Sequence, residues 1–97
     1  MLDPELMKSI AEQMMGSGKV IIEGKTLPIT RTSYQRLKTL RFDMGGKQFQ
    51  AIEQNPDKPS RWGKLAREGH GVVQFRDVAT GKYVAVAIDG EVKEYAP

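Results

Sequence analysis

Two short turn sequences constrain the fold of this 97-residue chain more than any other feature. Gly45-Gly46 separates two segments in which apolar and polar residues largely alternate, and Asp89-Gly90 follows a segment rich in valine and alanine. Both central residues of a type I′ turn have a positive φ, which glycine adopts freely and aspartate tolerates, so these pairs favour two-residue hairpins. The chain is therefore predicted to fold largely into antiparallel strands.

The segments beside these turns have the period of two that is typical of strands. Leu40, Phe42 and Met44, for example, fall on one face of their segment. Pro28 lacks a backbone N–H, which assigns its segment to a sheet edge or to irregular structure. The predicted strands are residues 20–23, 27–32, 37–44, 47–54, 72–77, 82–88 and 91–95.

The last three strands form a predicted C-terminal three-stranded meander. The two faces of its middle strand carry Val84, Val86 and Ile88, and Tyr83, Ala85 and Ala87. Because both sets are apolar or aromatic, we expect this strand to be central and covered on both sides.

The first helix is predicted at residues 3–15. Asp3 is a favourable N-cap, and Pro4 suits the first helical position, where its missing N–H costs nothing. Apolar residues then recur at a spacing of four and form one stripe, namely Leu6, Ile10 and Met14. Three interpretations stay open for this methionine-rich stripe: docking on its own sheet, self-association, or contact with a protein partner.

A second, short helix is predicted near residues 60–69, with Ser60 as its N-cap and Gly69 as its end. Gly63 costs about 1 kcal/mol in a helix interior. This glycine therefore indicates either close packing against a strand or a helix shorter than the pattern implies.

These elements predict one small α+β domain over residues 1–97, with a mostly antiparallel sheet of about five to seven strands. The N-terminal helix, followed by Gly16-Ser17-Gly18, is a candidate separable arm. There is no βαβ rhythm and no internal repeat, so a parallel sheet is not expected.

The composition narrows the functional classes. The absence of cysteine excludes disulfides and thiolate chemistry, and it fits a reducing compartment, so a cytoplasmic location is expected. No apolar run approaches the ~20 residues that span a bilayer, and the N-terminus lacks the features of a secretory signal. We therefore expect no membrane association.

Catalytic, metal and cofactor motifs are also missing from the sequence. Gly16-Ser17-Gly18-Lys19 matches only the end of a phosphate-binding loop, and Val20 stands where that motif needs serine or threonine. His70 is the only histidine, whereas a zinc site usually takes several His or Cys ligands. The chain is expected to be no enzyme and to bind no cofactor or metal.

The basic residues are the sequence feature that best indicates a ligand. Residues 19–47 hold seven basic side chains against Glu23 and Asp43, a local charge of +5. Basic residues interleaved with aromatics can contact phosphates and stack on bases. The candidate nucleic-acid-binding residues are Arg36, Lys38, Arg41 and Lys47 on a hairpin, and Arg61, Lys64 and Arg67 on the second helix.

The sequence leaves two alternatives to nucleic-acid binding open. Long basic side chains on strands also protect sheet edges from aggregation without binding any ligand. A protein-interaction or small regulatory subunit would instead use the N-terminal helix or a sheet edge. Trp62, next to Leu65 and Ala66 on one helical face, is expected in the core.

Overall fold

The fold is described by a computed structural model of residues 2–96, so the first and last residues of the predicted domain lie outside the described range. It is an α+β fold with two antiparallel sheets, which confirms the predicted class. The helices are α1 Pro4–Met15 and α2 Arg61–Arg67. The strands are β1 Val20–Ile22, β2 Lys25–Leu27, β3 Thr30–Arg31, β4 Lys38–Met44, β5 Lys47–Glu53, β6 Val72–Asp77, β7 Tyr83–Ile88 and β8 Glu91–Glu94.

Six of these strands form one sheet in the order β3-β4-β5-β6-β7-β8, and each pairs antiparallel with its neighbours in sequence. Gly45 and Gly46 have φ values of 61° and 79°, and Asp89 and Gly90 have 51° and 85°. These left-handed conformations are the ones that two-residue hairpins need. Both turns and the C-terminal meander are thus confirmed.

The first hairpin differs from the prediction. Its turn is at Glu23 and Gly24, with φ values of 50° and 78°, and its return strand β2 ends before Pro28. The chain then leaves this two-stranded sheet, and β3 pairs with β4 in the larger one. The predicted strand at residues 27–32 is therefore divided, because the proline has no N–H to continue the β1–β2 ladder.

The core lies between α1 and one face of the large sheet. Met7, Ile10 and Met14 have no exposed surface, and Asp3 caps the helix by accepting the backbone N–H groups of Glu5 and Leu6. The stripe packs on apolar residues of four strands of the large sheet, namely Leu40, Phe42, Met44, Phe49, Ala51, Val73, Phe75, Ala85 and Ala87, together with Val20 of the small hairpin. Docking on its own sheet is thus the interpretation of the stripe that the structure shows.

A register shift in the meander changes the face of one aromatic residue. Ala85 pairs with Phe75, but Tyr83 pairs with Arg76, so one extra residue of β7 lies between these two pairs. That residue, Val84, packs against the core, and Tyr83 is half exposed. The expectation that Tyr83 shares a face with Ala85 is therefore wrong, because a β-bulge interrupts the alternation.

The second helix is shorter than residues 60–69, and its glycine contacts a loop rather than a strand. A Cβ on Gly63 would collide with the backbone carbonyl of Lys58. Ser60 Oγ accepts the N–H of Gly63, as expected of an N-cap. The loop before α2 is therefore held tightly against the helix, which fixes where α2 lies.

Candidate functional site

The two faces of the six-stranded sheet carry different chemistry. The face toward α1 is the buried, apolar one. On the opposite face, one transverse row crosses four strands, because each member pairs with the next in the register. We call these residues the arginine row: Arg41, Gln50, Arg76 and Tyr83. Neighbouring strands lie about 4.8 Å apart, so the row brings two guanidinium groups and an aromatic ring onto one patch.

Helix α2 lies over the same face as the arginine row. Gln74 precedes Arg76 by two residues on β6 and so shares its face, and Tyr95 Oη donates a hydrogen bond of 2.7 Å to Gln74 Oε1. The Trp62 ring of α2 meets the Tyr95 ring edge to face, with centroids 6.4 Å apart. These contacts place α2 beside the row rather than on top of it.

A groove of about 550 Å³ runs between α2 and the sheet. Its volume falls in the range of roughly 300–1,000 Å³ that is typical of ligand sites. We call it the aromatic groove, and its lining residues are Gln54, Lys58, Ser60, Trp62, Gln74, Tyr83 and Tyr95. Three of the seven aromatic residues of the chain thus line one depression, and Tyr83 belongs to both the groove and the arginine row.

The floor of the aromatic groove is a chain of hydrogen bonds. Gln74 accepts from Tyr95 and donates to Gln54 Oε1 at 2.9 Å, and Gln54 Nε2 donates to the Asn55 carbonyl at 3.1 Å. Partial burial raises the pKa of the Tyr95 phenol, which is the donor in its hydrogen bond with Gln74. The orientation of both amide groups is therefore fixed before any ligand arrives.

Cationic groups lie at the rim and beside the floor. The Arg61 guanidinium carbon is 4.2 Å from the centroid of the Trp62 ring, a cation–π contact at an exposed position. Arg76 donates through Nη2 to Gln50 Oε1. Its Nε is buried and has no hydrogen-bond partner among residues 2–96. A buried donor without a partner is uncommon in folded proteins.

Two of the seven predicted binding residues belong to this surface. Arg41 is an exposed member of the arginine row, and Arg61 stands over Trp62 at the rim of the groove. Lys38 and Lys47 instead lie on the sheet face that α1 covers. Lys38 is two residues from Leu40 on β4, and Lys47 pairs with Met44. Lys38 Nζ donates to the carbonyl of Met14 at 2.9 Å, at the C-terminal end of α1.

The other three predicted residues are dispersed. Arg36 lies in the loop before β4 with a φ of 57°, and its carbonyl accepts from Arg31. Arg67 Nη1 donates to the carbonyls of Pro56 and Lys58 and so ties the loop to α2. Lys64 is exposed on α2. The seven residues therefore do not form one continuous patch.

Sequence reasoning missed Arg76, Lys58, Gln74, Tyr83 and Tyr95 as candidates. Successive residues of a strand point to opposite faces, so Gln74 and Arg76 lie on the same face of residues 72–77. This spacing is the sequence signal that could have identified both as candidates. Of the interleaved aromatics, Phe42 and Phe49 lie in the core with centroids 6.1 Å apart. Trp62, expected in the core, is half-buried at the groove.

A separate polar contact joins His70 to Asp89. His70 Nδ1 and Asp89 Oδ2 are 2.6 Å apart, and Asp89 Oδ1 accepts the N–H of Gly71 at 2.8 Å. The carboxylate raises the pKa of the imidazole, mainly through this hydrogen bond, and the imidazole lowers the pKa of the carboxyl. The pair fixes the β7–β8 turn to the segment that leaves α2.

Comparisons with protein-family models, with curated proteins and with solved structures returned no match. Within residues 2–96, no group of three or more His, Asp or Glu residues is arranged to hold a metal ion. Neither α1 nor α2 is long and apolar enough to cross a membrane. The arginine row and the aromatic groove are therefore the features of the described residues that bear on function.

Proposed function

We propose that this protein is a non-catalytic module that binds nucleic acid or another polyanion. The observation that supports this proposal is the arginine row, in which Arg41 and Arg76 share the open sheet face with Tyr83. Arg61 and Lys58 extend the positive surface along the aromatic groove. The sequence predicted a binding surface on one hairpin and the second helix. The surface proposed here is instead the sheet face beside α2.

The proposed contacts are with phosphate groups. Guanidinium groups present several N–H donors in a fixed plane, which suits phosphate oxygens. Each phosphate contact releases a counterion, so affinity falls as salt concentration rises. Polyanions are abundant in the cytoplasm, and the cytoplasmic location expected from the cysteine-free sequence is part of this proposal.

The test is a titration of the purified protein with labelled mixed-sequence RNA and DNA, followed by anisotropy at about 50 and about 200 mM salt. We expect binding that weakens steeply over this range. Arg41→Glu is expected to weaken binding and to reduce the salt slope by about 1. Lys8→Glu is the matched control, because it makes the same change of charge at an exposed position of α1, on the other side of the sheet.

Equal losses for Arg41→Glu and Lys8→Glu would mean that binding follows net charge, and the assignment to the sheet face would be wrong. No binding at the lower salt concentration would remove the proposed function itself. Circular dichroism of each variant shows whether its fold is intact and so separates lost binding from lost structure.

A further inference from the structure

We infer that the aromatic groove holds an unpaired nucleotide, so that the ligand is single-stranded nucleic acid with one base stacked on Tyr83. The inference rests on the proposed function and specifies its ligand. It is carried by three features of the groove: an available aromatic ring, cationic residues near that ring, and oriented amide groups on the floor.

Tyr83 is the aromatic ring of the groove that is most available for stacking. Its side chain is 49% exposed, whereas Tyr95 is held by Gln74 and by its contact with Trp62. Trp62 already carries the Arg61 guanidinium above its ring. A base therefore stacks on Tyr83, and the rings of Trp62 and Tyr95 form the wall of the groove. Base–aromatic stacking tolerates every base, because each has a π face.

Two cationic residues belong to the surroundings of the Tyr83 ring, Arg76 through the sheet register and Lys58 through the groove. Arg76 pairs with Tyr83 in the register, and such cross-strand neighbours have Cβ atoms about 4.5–5.5 Å apart. Lys58 lines the groove together with Tyr83, and none of the described lining residues is a carboxylate. A stacked base would thus carry its own phosphate toward a positive group.

The floor supplies donors for the edge of a base. Each amide NH₂ group has two hydrogens, and the described contacts of Gln74 and Gln54 use one apiece. The second hydrogen of each group remains for a ligand. Because the amides are already oriented by their mutual hydrogen bond, a base edge gains these bonds without first ordering the side chains.

These features favour a single strand over a duplex. In a duplex the π faces of the bases are covered by their neighbours, and only the base edges reach a protein through the grooves. An aromatic platform acts on splayed, unpaired bases. Grooves lined by aromatic rings also bind proline-rich peptides, but those peptides do not require the surrounding cations. Charge complementarity therefore assigns the groove to a nucleotide.

The experiment uses Trp62, which is the only tryptophan of the chain and lies in the groove. A DNA strand of about 12 nucleotides, within the usual site sizes of single-strand binders, is titrated alone and annealed to its complement. We expect the single strand to bind more tightly and to change the emission of Trp62. Tyr83→Ala is expected to weaken its binding by about 5- to 100-fold, and Tyr83→Phe to retain it.

Tyr34→Ala is the matched control, because Tyr34 is 88% exposed in the loop before β4 and outside the groove. An unchanged affinity for this variant, together with the loss for Tyr83→Ala, supports the inference.

Equal binding of strand and duplex with constant Trp62 emission would overturn the inference and leave the proposed function in place. A proline-rich peptide that changes the emission and is not displaced by the strand would overturn it in favour of a peptide ligand. Absence of binding by both nucleic acids would remove the inference and the proposed function together.

Discussion

At the scale of single residues, the contact between His70 and Asp89 affects the stability of the protein. The two side chains are 42% and 56% exposed, so salt screens their attraction. Asp89 also accepts the N–H of Gly71, and its own N–H donates to the Gly71 carbonyl at 2.9 Å. Asp89, a residue of the tight β7–β8 turn, therefore also holds the segment that enters β6, so the pair couples a local conformation to a tertiary contact.

We expect the stability of the protein to decrease as pH rises through the folded-state pKa of His70. That pKa is raised above the unfolded value of about 6.5, so the contribution of the charged imidazole is fully present below about 6.5 and is lost above the folded value. Urea unfolding at about pH 5.5 and about pH 8.5, compared between the wild type and His70→Gln, measures this change.

The His70→Gln variant is expected to show a smaller loss of stability over this interval than the wild type. The lowered pKa of Asp89 acts in a different window, because its contribution is present above the unfolded pKa and is lost only as pH falls through the folded one. A wild-type protein whose stability changes no more than that of the variant would show that the pair is not maintained in solution.

At the scale of elements, α1 and β4 are joined by a contact that sequence periodicity does not reveal. Lys38 lies on the buried-face side of β4, where a lysine breaks the apolar pattern of Leu40 and Phe42. Its ammonium reaches the Met14 carbonyl, and its backbone N–H donates to Glu53 Oε1 at 2.9 Å. No basic residue lies in the last turn of α1, so Lys38 supplies the positive charge that the C-terminal end of a helix favours.

Lys38→Met is expected to destabilise the fold by about 1 kcal/mol and to leave nucleic-acid binding unchanged. The variant keeps the apolar stem and removes the charged donor at the helix end, and partial exposure of the site limits the loss. Urea unfolding gives the change in stability, and the anisotropy titration gives the salt slope. A reduction of that slope by about 1, as expected for Arg41→Glu, would instead make Lys38 a phosphate contact.

At the scale of the whole molecule, one face of the sheet forms the core with α1, and the other face is left partly open beside α2. Met7, Ile10 and Met14 are fully buried, and burial of such side chains contributes about 1.5–3 kcal/mol each. Three of them amount to a large part of the roughly 5–15 kcal/mol by which a domain is stable. The described packing thus buries the apolar stripe of α1 against the sheet.

Deletion of residues 1–15 is expected to prevent cooperative folding. Without α1, the apolar face of the sheet is open to water, and we expect binding of a hydrophobic dye and loss of the thermal transition. Thermal melting followed by circular dichroism measures this. A truncated chain that melts cooperatively near the temperature of the full chain would show that α1 is a separable arm, as one interpretation of the sequence allowed.

Most elements of this fold are determined by local sequence. Gly-Gly and Asp-Gly set the hairpins, Asp3 and Ser60 begin the helices, and alternation defines the strands, because turns, caps and periodicity depend on residues that are close together in the chain. Pro28 likewise marked the irregular segment that divides the predicted return strand. The α+β class followed from the order of these elements.

The candidate site depends on contacts between distant residues. Its members come from four strands, the loop before α2, α2 itself and the segment after β8. Only the register of the sheet brings Arg41, Arg76 and Tyr83 into one row. The bulge at Val84 turns Tyr83 to the open face. The close contact between α2 and the loop before it positions the helix so that a groove forms beside the sheet. Local sequence alone determined the strands and helices of this protein, whereas tertiary structure decided which basic and aromatic side chains meet, because that depends on strand register and on packing across the sheet.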